Sequence, residues 1–473
     1  MNMSSRILPP LQSAPEPPRQ FRPRQSGPFG VLDIGTSKIV CVIGRCESDG
    51  SVRVLGLGWQ KGDGVRAGGI TDIERAERVI RAAVGAAEEM ADTRLRSVTV
   101  NLSCGVPESR LFNVQWPVGG RAVNDADIRR VLLEGRSRAA SEGREIIHAM
   151  PLSFAADDEV GLIDPRGLHC DVLTARLHVV DAVQTALRTL GACMARCDLD
   201  INELVSSPMA AGLSTLVEDE RLLGATVLDM GGGTTGMAVF AEGHLLHTAQ
   251  LPIGGVHVTS DIARVLSTPI AHAERLKTLY GSAQSSPDDD REMLPVPMVG
   301  EEEHQIAKVP RSMVVNIIRP RLEETFEMVK ERIEGSGLGR SAGTRVVLTG
   351  GASQLSGVRE MATRILGRQV RHGRPAAPRG LPDSASGPAF ATAVGLLNFM
   401  CSNLPAGKIV IGLESDSGGT NPIAGQLFSV MRSYGFTNVA VWPQAAAGYP
   451  LMSTANFVST YSNWYTQLAA FLH

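Results

Sequence analysis

Val31-Leu32-Asp33-Ile34-Gly35 and Val227-Leu228-Asp229-Met230-Gly231 are two copies of one pentapeptide pattern, and their reading decides the fold. Each is an apolar run of buried-strand type that ends in a carboxylate and enters a turn. The turns are Gly35-Thr36-Ser37-Lys38 in the first copy and Gly231-Gly232-Gly233-Thr234-Thr235 in the second. Each then continues into a second β-type run, residues 39–43 and 237–240, so one hairpin is used twice. Glycines let backbone N–H groups approach phosphate oxygens, and Thr36, Ser37, Lys38 and Thr234 add donors. A carboxylate beside such a turn, Asp33 or Asp229, suits a magnesium ion that takes one or two protein carboxylates and keeps its waters. Two facing hairpins would grip a nucleotide phosphate chain from both sides.

A third segment, Val346-Val347-Leu348-Thr349-Gly350-Gly351-Ala352-Ser353, is again an apolar strand running into a Gly-Gly turn. It carries no carboxylate, so Gly350 and Gly351 suit the neutral adenosine end. A helix pattern follows, with Leu355, Val358, Met361, Ile365 and Leu366 on one face. Residues 387–396 read as a small-residue helix that packs closely on its neighbour, and residues 207–212 begin another. In this order the segments resemble the phosphate 1, first connecting, phosphate 2, adenosine and second connecting motifs of the actin-like ATPases. The resemblance implies an α/β, actin-like (ribonuclease H-like) two-lobed ATPase fold with ATP and Mg²⁺ as cofactors. It assigns Asp33, Gly35, Thr36, Ser37, Lys38, Asp229, Gly231, Gly232, Gly233, Thr234, Gly350 and Gly351 to the nucleotide, with Asp33 and Asp229 holding the metal through water.

The stretch between the two hairpins narrows the family. A strand near residues 98–102, further strands near 111–116 and 172–179, and a helix over 126–140 read as an inserted subdomain. Ile147-His148-Ala149-Met150-Pro151, Asp164-Pro165-Arg166-Gly167-Leu168 and Thr174-Ala175-Arg176-Leu177-His178-Val179 resemble the FtsA family of bacterial cell-division proteins. So do Leu251-Pro252-Ile253-Gly254-Gly255 and Ala393-Val394-Gly395-Leu396-Leu397. The expected organisation is a disordered Pro- and Arg-rich leader (1–28), a first actin-like lobe (29–93 and 181–206), an FtsA-type insert (94–180), a second lobe (207–401) and a tail (402–473). The second lobe includes a partner-binding subdomain over about 255–335. In the leading part, Thr71-Asp72-Ile73-Glu74 is a capping-box start for a helix over 73–90.

The resemblance implies filaments of the protein itself and links to other divisome proteins through the insert. It also implies capture of the acidic C-terminal peptide of the tubulin-like FtsZ, and a peripheral position on the cytoplasmic face of the inner membrane at the division site. For the FtsZ peptide, a long helix over 313–334 offers Arg319 and Arg321. Where many relatives carry an acidic or polar residue after the second turn, this chain has Gly236, which points to slow hydrolysis at most. Two alternatives share the fold: a PilM-like pilus-assembly protein, and a sugar- or acetate-kinase-type phosphotransferase.

Composition sets bounds. The net charge of −3 gives no global basic signal for nucleic acid. The seven cysteines form no C-x-x-C pair and read as reduced, mostly buried thiols. Residues 281–310 read as an acidic, loop-like connection. The aromatic tail resembles closing βα units of a barrel hydrolase, but Glu414 and Asp416 on one loop do not form the opposed pair that glycosidases need. Phe457, Tyr461, Trp464, Leu468 and Phe471 make one helical stripe, either packed on its own domain or lying on lipid.

Overall fold

A computed structural model describes residues 27–300, 306–338 and 342–402. The expectations for residues 1–26, for Glu301-Glu302-Glu303 and for the tail from 403 lie outside that range.

β1 (Pro28–Ile34) and β2 (Lys38–Cys46) form the first antiparallel hairpin, and β3 (Val52–Lys61) pairs antiparallel with β2. A small ribbon, β4 (Val65–Arg66) and β5 (Gly69–Ile70), leads to α1 (Ile73–Ala91). The cap of α1 is Asp72, whose side chain accepts the Arg75 N–H at 3.1 Å, one residue beyond the Thr71 of the capping pattern. β6 (Ser97–Leu102) follows and pairs parallel with β1.

β7 (Glu108–Pro117), α2 (Asp125–Ala139), β8 (Arg144–Ala156), β9 (Glu159–Leu162) and β10 (Val172–Val183) build a separate four-stranded sheet in the order β7-β10-β8-β9. α3 (Gln184–Arg196) and β11 (Asp200–Ser206) return to the first sheet, whose order is β11-β6-β1-β2-β3. The strand at 98–102, expected in the insert, is therefore a central strand of the first lobe. Its uniformly apolar inward run, Val98, Val100 and Leu102, is buried against both neighbours, as parallel strands require.

α4 (Ser207–Thr215) and α5 (Glu218–Leu223) open the second lobe. Its sheet contains β12 (Ala225–Met230), β13 (Thr235–Ala241) and β14 (His244–Leu251). α6 (Gly255–Val265) and α7 (Ile270–Tyr280) follow, then β15 (Met293–Pro297), β16 (Ile306–Pro310) and α8 (Arg311–Gly335). β17 (Arg345–Thr349), α9 (Val358–Leu366), β18 (Gln369–His372) and α10 (Ala391–Cys401) complete it. The sheet order β14-β13-β12-β17-β18 repeats the first lobe's pattern of three antiparallel and two parallel strands. The acidic connection is not all loop, because β15 and β16 pair antiparallel within it.

Side-chain alternation explains how the layers stack. Leu32, Ile34, Ile39 and Cys41 face α1 and α3, whereas Leu228, Met230, Met237 and Val239 face the core with α6, α7, α8 and α9. The opposite faces, with Val31, Val40, Val227 and Ala238, share one core that also holds residues of α4 and α10. The two connecting helices thus lie between the sheets. A Cβ at Gly395 would collide with the Ala210 carbonyl, so only glycine allows this helix–helix approach.

The cysteine expectation needs one correction. Cys46 at the end of β2 and Cys401 at the end of α10 form a disulfide, with Cα atoms 5.4 Å apart. They are 355 residues apart in sequence, so no local spacing announced the pair. The other five cysteines are free and buried.

Candidate nucleotide site

The two hairpin turns close in the same way. The Gly35 N–H donates to the Lys38 carbonyl at 3.0 Å, and the Gly231 N–H to the Thr234 carbonyl at 2.8 Å. They then meet face to face across the lobes. A Cβ on Gly232 would lie 2.8 Å from Ser37 Oγ, and one on Gly233 would collide with Thr36 Oγ1. Glycine is therefore required by the close approach of the opposing turn.

The direction of the peptides says what the second turn offers. The Gly231 carbonyl accepts from the Gly255 N–H at 3.0 Å and the Gly232 carbonyl from the Val256 N–H at 2.8 Å. Both carbonyls are thus turned toward the first residues of α6. In a trans peptide the following N–H points the opposite way, so those of Gly232 and Gly233 point away from α6. Converging backbone donors of this kind suit an anion. On the first turn the Ser37 carbonyl accepts from the Gly62 N–H at 2.9 Å, which directs the Lys38 N–H away from it.

Asp33 and Asp229 end equivalent strands, opposite Val40 and Gly236. Burial and the nearby Asp229 carboxylate push the Asp33 carboxyl up to about 7, against the pull of Lys38. Burial also raises Asp229, opposed by Lys38 and by the Thr392 hydroxyl, which donates to Asp229 Oδ2 at 2.9 Å. Two buried carboxylates that share the pull of one lysine leave negative charge undercompensated. That donor set fits a hard divalent cation such as Mg²⁺.

Lys38 is held across the cleft. Its ammonium donates to the Ala389 carbonyl and sits 3.4 Å from the centroid of the Phe390 ring. Burial lowers its pKa to about 8, while Asp33 and Asp229 oppose the shift. The third turn reaches the same place. The Gly350 N–H donates to the Pro388 carbonyl at 3.1 Å, a Cβ on Gly350 would strike Asp229 Oδ1, and Gly351 lies beside Ala389. Gly350 has φ +83°, a left-handed conformation that favours glycine. All the nucleotide residues expected from sequence thus converge on one cleft.

Sequence reading missed Lys277 and Glu274. Lys277 Nζ donates to the Gly255 carbonyl at 3.1 Å, to Thr259 Oγ1 at 2.9 Å and to Glu274 Oε2 at 2.7 Å. It borders the space between Gly255 and Ala352 of the third turn. A Glu-x-x-Lys pair on a helix resembles any surface ion pair, so its neighbours alone distinguish it.

Arg319 and Arg321 lie on α8, away from these turns. Arg321 forms a two-pronged pair with Asp261 of α6, at 2.6 and 3.1 Å, and also reaches Glu324. Among the described residues Arg319 makes only a 3.8 Å contact, to Glu323.

Comparison with known proteins supplies the family. A family model described as cell division protein FtsA matches residues 226–395, and one described as an SHS2 domain inserted in FtsA matches 105–181. The cell division protein FtsA of Agrobacterium fabrum is 44% identical over 385 residues, covering 79% of this chain and 87% of that protein. The chain belongs to the FtsA family. The FtsA of Rhizobium meliloti is 43% identical over 413 residues, 85% of this chain and 93% of that protein. Among solved structures, a PilM–PilN type IV pilus biogenesis complex has a TM-score of 0.56 at 19% identity, covering 79% of this chain and 98% of the matched chain. That likeness supports the actin-like fold. The SHS2 match begins after β6, in agreement with that strand's place in the first sheet. Among the described residues no helix is long and apolar enough to cross a membrane.

Proposed function

We propose that this protein is an ATP- and Mg²⁺-binding member of the FtsA family that polymerises and links the FtsZ ring to the cytoplasmic membrane at the division site. The carrying observation is the convergence of both hairpin turns, their carboxylates and the Gly350 turn on one cleft between two pseudo-equivalent lobes. Thr36, Ser37, Lys38, Thr234 and the Gly231–Gly233 backbone would hold the phosphates. Asp33 and Asp229 would position Mg²⁺ through its waters. Gly350 and Gly351 would lie along the adenosine, with Glu274 and Lys277 at its rim. Magnesium would supply charge neutralisation between the phosphate oxygens and the two carboxylates. ATP binding to both lobes favours the closed cleft, and closure favours head-to-tail assembly, because a ligand shifts an equilibrium toward the state it binds better.

Identity of 44% to a curated FtsA, against 19% to the pilus protein, favours this reading over the PilM-like one. Sedimentation of the full chain with ATP and Mg²⁺, with ADP, and without nucleotide tests it. Pelleting only with Mg-ATP, together with retention of FtsZ on liposomes by the pelleted protein, is expected. Nucleotide-independent behaviour in both assays would sink it.

A further inference from the structure

Gly236 follows the second phosphate turn and pairs directly with Asp229 on one side and Gln250 on the other. Directly paired residues share a face of the sheet. That face is the one toward the connecting helices, since Val227 and Ala238 belong to the shared inter-lobe core while Leu228 and Met237 belong to the opposite one. Asp229, the bare Gly236 and Gln250 therefore make a row across three strands on the cleft side.

Gln250 leans over the gap left by Gly236. A Cβ built on Gly236 would lie 3.1 Å from Gln250 Oε1 and 3.1 Å from Pro208 Cβ at the start of α4. Such a side chain and the present Gln250 conformation would compete for one space. Gln250 Oε1 is buried and accepts no hydrogen bond from the described residues. A buried carboxamide oxygen without a donor is costly and is satisfied when a water enters beside it.

We propose that Gln250 is the positioning residue for the attacking water in a slow ATP hydrolysis, in place of a polar side chain at 236. The inference rests on the nucleotide reading of the cleft. The water oxygen bonds to the γ-phosphorus as the bond to the β,γ-bridging oxygen breaks. The bridging oxygen leaves on ADP with the electron pair, one water proton stays on inorganic phosphate and the other passes to solvent. A carboxamide orients such a water without taking its proton, which is how a glutamine serves phosphoryl transfer.

The test uses the full chain, a fluorescent ATP analogue for affinity and single-turnover hydrolysis of labelled ATP for rate. Gln250→Met keeps the side chain's bulk and removes its amide. It should lower the rate at least tenfold, with affinity within twofold and an unchanged thermal midpoint. Adding Gly236→Asp to Gln250→Ala, where the competing side chain is gone, should restore hydrolysis. Wild-type turnover in Gln250→Met, or parallel losses of affinity and rate, would overturn the role of Gln250. Failure of the wild-type chain to bind the analogue would instead overturn the nucleotide reading itself.

Discussion

Single residues carry the strongest charge arguments. Asp33 and Asp229 are both buried and both coupled electrostatically to Lys38, so under the proposed reading removing either carboxylate removes a metal anchor. Asp33→Ala and Asp229→Ala should each weaken Mg-ATP binding at least tenfold, about 1.4 kcal/mol. Titration with the fluorescent analogue measures this, and unchanged affinity in both variants removes the proposed metal role. A second residue-scale effect lies at the junction of the insert with the second lobe. There Ser109 Oγ is 2.7 Å from His178 Nε2 and 3.3 Å from His247 Nδ1, and it accepts the Thr248 N–H. Burial, with His148 and His247 nearby, lowers His178 from 6.5 to about 3. Burial and Arg332 also lower His247. The unfolded His178 takes a proton near 6.5 and the folded one does not until about 3. Stability is therefore fully present above pH 6.5 and declines as pH falls toward 3, at most about 1.4 kcal/mol per pH unit from this group. The thermal midpoint should drop between pH 7 and 5, and His178→Gln should flatten that slope. An equal slope in the variant would assign the acid sensitivity to other groups.

At the scale of elements, α8 shows what helical periodicity reveals and what it hides. Of the positions whose spacing points inward, Val314, Ile318, Leu322, Phe326, Val329 and Ile333 are buried and Ile317 is half-buried, and Pro320 is tolerated within the helix. Periodicity does not say which partner an outward arginine meets. Arg321 is committed to Asp261, so it ties α8 to α6, while Arg319 has only one long contact among the described residues. Arg321→Glu should therefore lower the thermal midpoint by placing like charges together. Arg319→Glu should leave the midpoint unchanged and weaken binding of an acidic FtsZ C-terminal peptide about threefold or more. The wild-type affinity should fall with added salt, and the variant's should fall less. Fluorescence anisotropy at two salt concentrations checks this, and wild-type affinity in Arg319→Glu would move the peptide elsewhere. The α4–α10 contact is the other decisive pairing of elements, since Gly395 lets the two connecting helices touch between the lobes.

At the scale of the whole molecule, every expected nucleotide residue lies within the described lobes, which α10 completes before Ser402. A chain ending at Ser402 should stay folded and bind the ATP analogue with wild-type affinity. Loss of binding would make residues 403–473 an integral part of the fold. The sequence by itself determined the repeated hairpins, the glycine turns that meet in the cleft, the connecting helices and the family, because glycine turns and strand alternation are local patterns. It also determined most of α8, whose buried face is written in its periodicity. Only the tertiary structure decided that β6 belongs to the first sheet, since an apolar strand does not record its neighbours. Tertiary structure likewise joined Cys46 to Cys401 and committed Arg321 to Asp261. It also set Lys277 beside Gly255 and leaned Gln250 over Gly236. Each of these pairings depends on approach between segments distant in the chain, and that approach is fixed by how the sheets and helices pack.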